Sequence, residues 1–541
     1  MENLLILLGK YFLLITFLYL FGRTSVLLSS QFMGKNISDN YEVSGINIQI
    51  LYPIFGLFFL GNLLFIINFF IPLKNNLIYG FFLLLLVNFR KKISFANLKK
   101  FFISYSPSII LLVSSFNINF HYDAGLYHLN NQKWILESNL VKGLSNIYAA
   151  FGVGSIHEYL SAILWIDNSY ILLHLMNLVY FSFFYGVIFY ALFVNKVSYY
   201  KFSFLFLLIY SILDNFGFSG GRNGYLNIQS IGKQDAPIAI IFLIISLLIV
   251  SAIYKKKYSE FDTFLFLILS LFIYQLKVSG VAIIFIVIIY FYFYFRDSNL
   301  KIRWVFRSSI IPSILFFLWS IKSLLQTGCF VFPSTFTCFS FEWVDKDYIK
   351  GIEDVTVGFS QSYNFKGSLI VWFQQYLSNP TNKIILSNFL ISFFIILGIK
   401  LFFTKFLFHK KIGFIFIIYF SLSILFFLRF GPDARYLVGL QMLIISSLGI
   451  FSIEKIRIPQ FIFFALFFIS IISLPRLDSY NSFSLSNLPS IQMPKAELVT
   501  RYDRYYPKEG DQCWVNLSCS SNREDYFIVD KSFFKTVYFR N

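Results

Sequence analysis

Long apolar runs alternate with short charged links along this chain. Fourteen runs fall near residues 3–22, 49–73, 76–89, 101–117, 168–195, 202–214, 237–254, 261–275, 280–295, 306–321, 384–403, 412–428, 437–453 and 458–474. Most run roughly 15 to 25 residues, the length an α-helix needs to cross about 30 Å of hydrocarbon, whereas barrel strands alternate over about 10. The pattern predicts an all-α integral membrane protein of about 14 transmembrane helices, with 11 as the lower bound. The first run is too long for a signal-peptide core and lacks a small-residue cleavage site, so a retained span is expected.

The links are basic. They carry Arg90, Lys91 and Lys92; Lys196 and Lys201; Lys255, Lys256 and Lys257; Arg296, Lys301 and Arg303; Lys405, Lys410 and Lys411; and Lys455 with Arg457. Cytoplasmic placement of all of these, as the positive-inside rule requires, closes the parity of the spans. The N-terminus, the segments 118–167, 215–236 and 322–383, and the tail 475–541 then lie on the outer side. Short turns at Lys277 and at Arg429 to Arg435 join them there.

Composition narrows the class further. The chain is 57% hydrophobic and 13% charged, with 73 phenylalanines, a balance that excludes a soluble domain. The net charge of +18 resides in the links and reports topology. No nucleic-acid-binding module is present, so membrane lipid is an expected partner and nucleic acid is not. All four cysteines fall on the outer side, as the close pairs Cys329 with Cys338 and Cys513 with Cys519. That spacing predicts two local disulfides in an oxidising compartment, and the paired CxxC of a zinc site is absent. The domain reading is one polytopic membrane domain, 1–474, and a small polar tail, 475–541. The tail is too short to bury much core without a staple, and is expected to cap the outer face.

The candidate chemistry concentrates at residues 121–129, HYDAGLYHL, where His121, Asp123, Tyr127 and His128 crowd together. Four of the five histidines, His121, His128, His157 and His174, lie in or soon after this stretch. Two helices are expected in the loop 118–167. One runs from Ala124 to Ser138, capped by Asp123, with Leu126, Leu129 and Leu136 on one side and Asn130, Lys133 and Glu137 on the other. The second runs from Ser155 to Trp165. Both would lie at the membrane interface, with Trp134 and Trp165 as anchors. The ligand types in His121, Asp123, His128, His157 and Glu158 suit a divalent metal, but at no recognised metal-site spacing, so no metal or cofactor is assigned.

Cations on the outer side could hold a phosphate: Arg222, Lys233, Lys277, Lys322 and Arg435. Arg435 lies in a turn with Pro432 and Asp433, and Lys277 in a tight hairpin. Lys233 and Asp235 could instead form an ion pair, and any lone cation at a span end could simply snorkel to headgroups. Trp343, Trp372, Glu342, Asp345, Asp347, Glu353 and Asp354 in the loop 322–383 are of the types that recognise carbohydrate.

An Asp directly after a span, opening a first large outer loop with two interfacial helices, resembles the GT-C superfamily of membrane glycosyltransferases. HYDAGLYHLNNQKW, VKGLSNI, WSIKSLLQTGCFVFP, GPDARY and GDQCW more closely resemble a group of bacterial GT-C-like membrane proteins of unproven activity. In many GT-C enzymes the catalytic loop follows the first span, whereas here it follows about the fourth. The resemblance implies transfer of a sugar from a polyprenyl-phosphate donor to a saccharide, lipid or protein acceptor on the outer face of a bacterial inner membrane. Asp123 would be the general base, with His121, Tyr127, His128, Arg222, Lys233, Lys277 and Arg435 contacting substrate. Two rival readings are an O-antigen-type polymerase or ligase, and a lipid-linked saccharide transporter or flippase.

Overall fold

The computed structural model describes residues 2–74, 80, 95–166, 169–218, 226–297, 302–361, 369–406, 410–430, 433–450, 452–501, 504–517, 519–520, 526–531 and 534–539. Nearly all of the expected run 76–89 lies outside the described residues, as do Arg90, Lys91, Lys92, Arg222, Lys301 and Pro432.

Among the described residues, eight helices are long and apolar enough to cross a membrane. They are Glu2–Phe32, Ile48–Asn68, Ile171–Val194, Asp235–Lys255, Val278–Asp297, Ile302–Thr327, Pro380–Phe403 and Lys410–Leu428. Each coincides with an expected run. Among the described residues, the other expected runs are shorter or broken, for local reasons. The helix Lys201–Phe216 stops at Gly217, whose φ of +68° ends it. The helix Glu260–Leu276 starts at Ser259, which caps the Asp262 amide at 2.9 Å, and ends at the extended Lys277. Residues 95–117 divide into an α-helix, Phe95–Tyr105, and a 3-10 stretch, Ser106–Asn117, beginning where Pro107 lacks an amide donor. Ala434–Ile450 and Gln460–Ser473 are apolar but short.

The first two helices form a hairpin that depends on glycine. A Cβ at Gly22 would meet the Tyr52 carbonyl oxygen at 1.9 Å, and one at Gly56 would meet that of Leu18 at 2.1 Å. Only a missing side chain permits that approach.

The links sort by the end of the bundle at which they meet. At one end, Ser44 O accepts from Tyr200 and Lys255, Lys201 pairs with Glu454, Lys411 pairs with Asp297, and strand Thr404–Phe406 pairs with Ser452–Glu454. At the other end, the Asn68 amide holds the loop at Ile135 and Ser138, and the Gly143 amide reaches Leu325 O. The tail also lies there and departs from the all-α expectation. It forms two antiparallel hairpins, Leu498–Arg501 with Arg504–Pro507 and Tyr526–Lys531 with Phe534–Phe539. Both expected disulfides are present, Cys329–Cys338 and Cys513–Cys519.

Candidate charged site at one end of the bundle

Two segments far apart in sequence build this site. Residues 119–121 run parallel to 230–231, with Ile231 N donating to Asn119 O at 3.1 Å and His121 N to Ile231 O at 2.9 Å. This pairing sets Asp123 beside Lys233, with an Oδ2 to Nζ separation of 3.6 Å. Asp123 does not cap the following helix as expected. The chain leaves it through a π-helical turn, Ala124–His128, before the α-helix Leu129–Glu137, and the carboxylate makes no cap bond. It lies instead 3.3 Å from His121 Nδ1, which alternatively accepts the Asp123 amide proton at 3.1 Å. Burial pushes the Asp123 carboxyl up, but His121 and the Lys233 ammonium together outweigh it and hold it down at about 2.

The charges continue outward from there. Lys233 Nζ lies 3.9 Å from Asp235, and Lys277 Nζ lies 3.0 Å from the same buried carboxylate. Asp235 therefore pairs chiefly with Lys277 rather than with Lys233. Burial lowers both lysines. It prevails at Lys233, whereas Asp235 lifts Lys277 above the usual range. Lys277 also lies over the Tyr436 ring, 4.4 Å from its centroid. Next to Tyr436, Arg435 donates Nε and Nη2 to Asp433 at 2.8 and 2.6 Å. Asp235, Lys277, Arg435 and Tyr436 line a cleft of about 370 Å³, floored by Ala239, Phe242, Gly439 and Leu440.

Of the expected substrate contacts, Lys233, Lys277 and Arg435 thus converge with Asp123, while Arg222 lies outside the described residues. His128 departs from expectation. It is buried and bonded to Glu158, which is 1% exposed and accepts from Gln132 at 2.8 Å and Gln234 at 3.2 Å. Burial pushes Glu158 up, and His128 more than reverses it, leaving this carboxyl below its usual range. Tyr127 is half-buried, its ring 4.1 Å from that of His128. His157 is buried too, and burial lowers it to about 4. Among the described residues no group of three or more His, Cys, Asp or Glu side chains could hold a metal ion.

Parts of the rest of the loop are covered by protein. Asn130, expected on a solvated side, is 1% exposed because it donates to Asn516 O in the tail at 2.7 Å. Trp134 is buried against Tyr526 and Val537 of the tail, and Trp165 donates to Gln132 at 2.8 Å. Trp514 sits on the site's own turn. Its amide donates to Gly125 O at 2.8 Å, its ring meets Phe120 edge-on, and a Cβ at Gly125 would meet the indole at 2.8 Å. Beside it Tyr122 donates to Asp511, and Gln512 donates to Tyr122 O.

In the loop after the helix Ile302–Thr327, Asp345 caps Tyr348, Glu353 accepts from Thr335, Asp354 pairs with Lys350, and Trp343 stacks on Phe341. These carbohydrate-type residues serve local structure. Sequence reasoning missed Tyr436, Glu158 as the partner of His128, and the seat of Trp514. The tyrosine in GPDARY was the one local signal.

The fold and site define a polytopic α-helical membrane protein with a cluster of charge at one end of its bundle. The chain belongs to the family described as a domain of unknown function (DUF8201), whose model matches residues 4–442. That match includes Asp123, Lys233, Lys277 and Arg435. No curated protein and no solved structure matches the chain.

Proposed function

We propose that this protein is a membrane glycosyltransferase of the GT-C type, moving a sugar from a polyprenyl-phosphate donor to a saccharide, lipid or protein acceptor. The observation that carries the reading is the convergence of Asp123 with Lys233, Lys277 and Arg435 beside one cleft. In this reading the site end is the outer face of a bacterial inner membrane, and the shorter apolar helices complete a set of about 14 crossings with the two loop helices at the interface.

The acceptor hydroxyl attacks the anomeric carbon, its proton passes to Asp123, and the bond to the phosphate oxygen breaks with its electron pair leaving on phosphate. Lys277, Arg435 and Lys233 offset that charge. A carboxylate held at about 2 is a weak base, which gives Lys233 a second role. When donor phosphate draws its ammonium away, the Asp123 carboxylate loses one of the two groups that hold it down and becomes more basic. The base is thereby strengthened only once the donor is bound.

The test is cell-surface glycan and in vitro transfer in Asp123→Asn, with expression measured alongside. A loss of roughly 10² to 10⁴-fold at normal expression is expected, and normal glycan at normal expression refutes the assignment.

A further inference from the structure

A second cavity, of about 340 Å³, opens at the same end of the bundle. Asn117, Asn119, His174, Gln229, Ser230 and Ser479 line it, and among the described residues no carboxylate does. Arg476 is its one charged group among the described residues, and is exposed. The first cleft is a place of charges; this one is a place of neutral donors and acceptors.

One buried group of this lining lacks a partner. His174, 4% exposed, meets the Ser114 hydroxyl through Nε2 at 2.9 Å, but its Nδ1 has no hydrogen bond. Buried polar atoms are rarely left so, and each such atom asks for an explanation. A hydroxyl group, which donates and accepts at one atom, would satisfy the free ring nitrogen of His174 in either tautomer.

The position bears on the reaction. Ser230 donates to the Asn119 side chain, and the backbone pairing that starts there continues through Ile231 and His121 to Asp123. Four residues at about 3.3 Å each place the two ends no more than about 13 Å apart, within reach of a short oligosaccharide.

We propose that this cavity is a saccharide subsite, taking an uncharged sugar unit of the acceptor while the reacting hydroxyl lies at Asp123. Its acceptor role rests on the transferase reading; sugar binding itself does not.

The experiment uses the full chain in nanodiscs, probed with neutral methyl hexosides and N-acetylhexosamines, and with inorganic phosphate as anion control. Binding is read by saturation-transfer NMR and by ligand-induced thermal shift. Saturable binding of at least one neutral sugar is expected, weakened about tenfold or more by His174→Phe and by Asn117→Trp, which fills the cavity from its rim. Asp123→Asn should bind it unchanged. Thermal midpoints without ligand identify any variant that fails to fold, and Asn117→Trp, on a half-exposed residue, keeps the test decisive if His174→Phe does. Binding of phosphate alone, no sugar binding, sugar binding insensitive to a folded variant, or its loss in Asp123→Asn would each overturn the subsite. Sugar binding in a protein without transferase activity sinks the catalytic reading and leaves the subsite standing. Transfer that depends on Asp123 without sugar binding does the reverse.

Discussion

Gly125→Ala is an unusually sharp probe of how the tail sits on the charged site, because its sign should depend on one other residue. Gly125 lies in the π-helical turn after Asp123, where alanine is intrinsically better than glycine by about 0.5–1 kcal/mol. The new methyl, however, would lie 2.8–2.9 Å from three atoms of the Trp514 indole, inside van der Waals contact. The ring is not free to yield, since its own amide is tied to Gly125 O and its edge to Phe120. Overpacking of this kind costs about 1–3 kcal/mol. Gly125→Ala alone should therefore destabilise by up to about 2 kcal/mol after the propensity gain. In a Trp514→Ala background, where the obstacle is gone, the same change should be neutral or stabilising by up to about 1 kcal/mol. A double-mutant cycle by reversible unfolding in mixed micelles measures this, with hydrogen exchange of residues 505–517 as a local readout of the tail. Equal destabilisation in both backgrounds would refute the seat.

Removing the ammonium in Lys233→Met should let the Asp123 carboxyl rise from about 2, so the acid limb of any Asp123-dependent activity moves to higher pH. An unmoved limb would separate the two residues. The depressed Asp123 also contributes stability above the ordinary carboxylate range, lost as pH falls from about 4 through about 2; Asp123→Asn should flatten stability over that window. Glu158→Leu strands the donors of His128, Gln132 and Gln234, and should cost about 3–5 kcal/mol or abolish folding, read as lost expression of monodisperse protein. Arg435→Lys keeps the charge but loses the two-pronged grip on Asp433, and weaker donor affinity at unchanged expression is expected. Without reductant, none of the four cysteines should react with an alkylating agent in intact-mass analysis.

Helical class, the long spans and the pairing of cysteines were legible in the sequence, because each is set by neighbours along the chain. Twenty apolar residues in a row carry their own reason to be a helix in lipid, and cysteines six or nine residues apart can meet in a local loop. Asp123, Lys233, Lys277 and Arg435 could be picked out singly, since a charge beside an apolar run needs a reason to be there.

What they do together belongs to tertiary structure. The pairing of 119–121 with 230–231 joins segments more than a hundred residues apart, and it brings Asp123 beside Lys233. Asp123 looked like a helix cap because periodicity cannot foresee a π-turn or a distant ammonium competing for the same carboxylate. The burial of Asn130 and Trp134 could not be read locally, because the surface that covers them comes from a tail nearly four hundred residues away. Local spacing determined which residues were available, and long-range packing decided which of them face a cleft, which are buried in pairs, and which carry charge to one place.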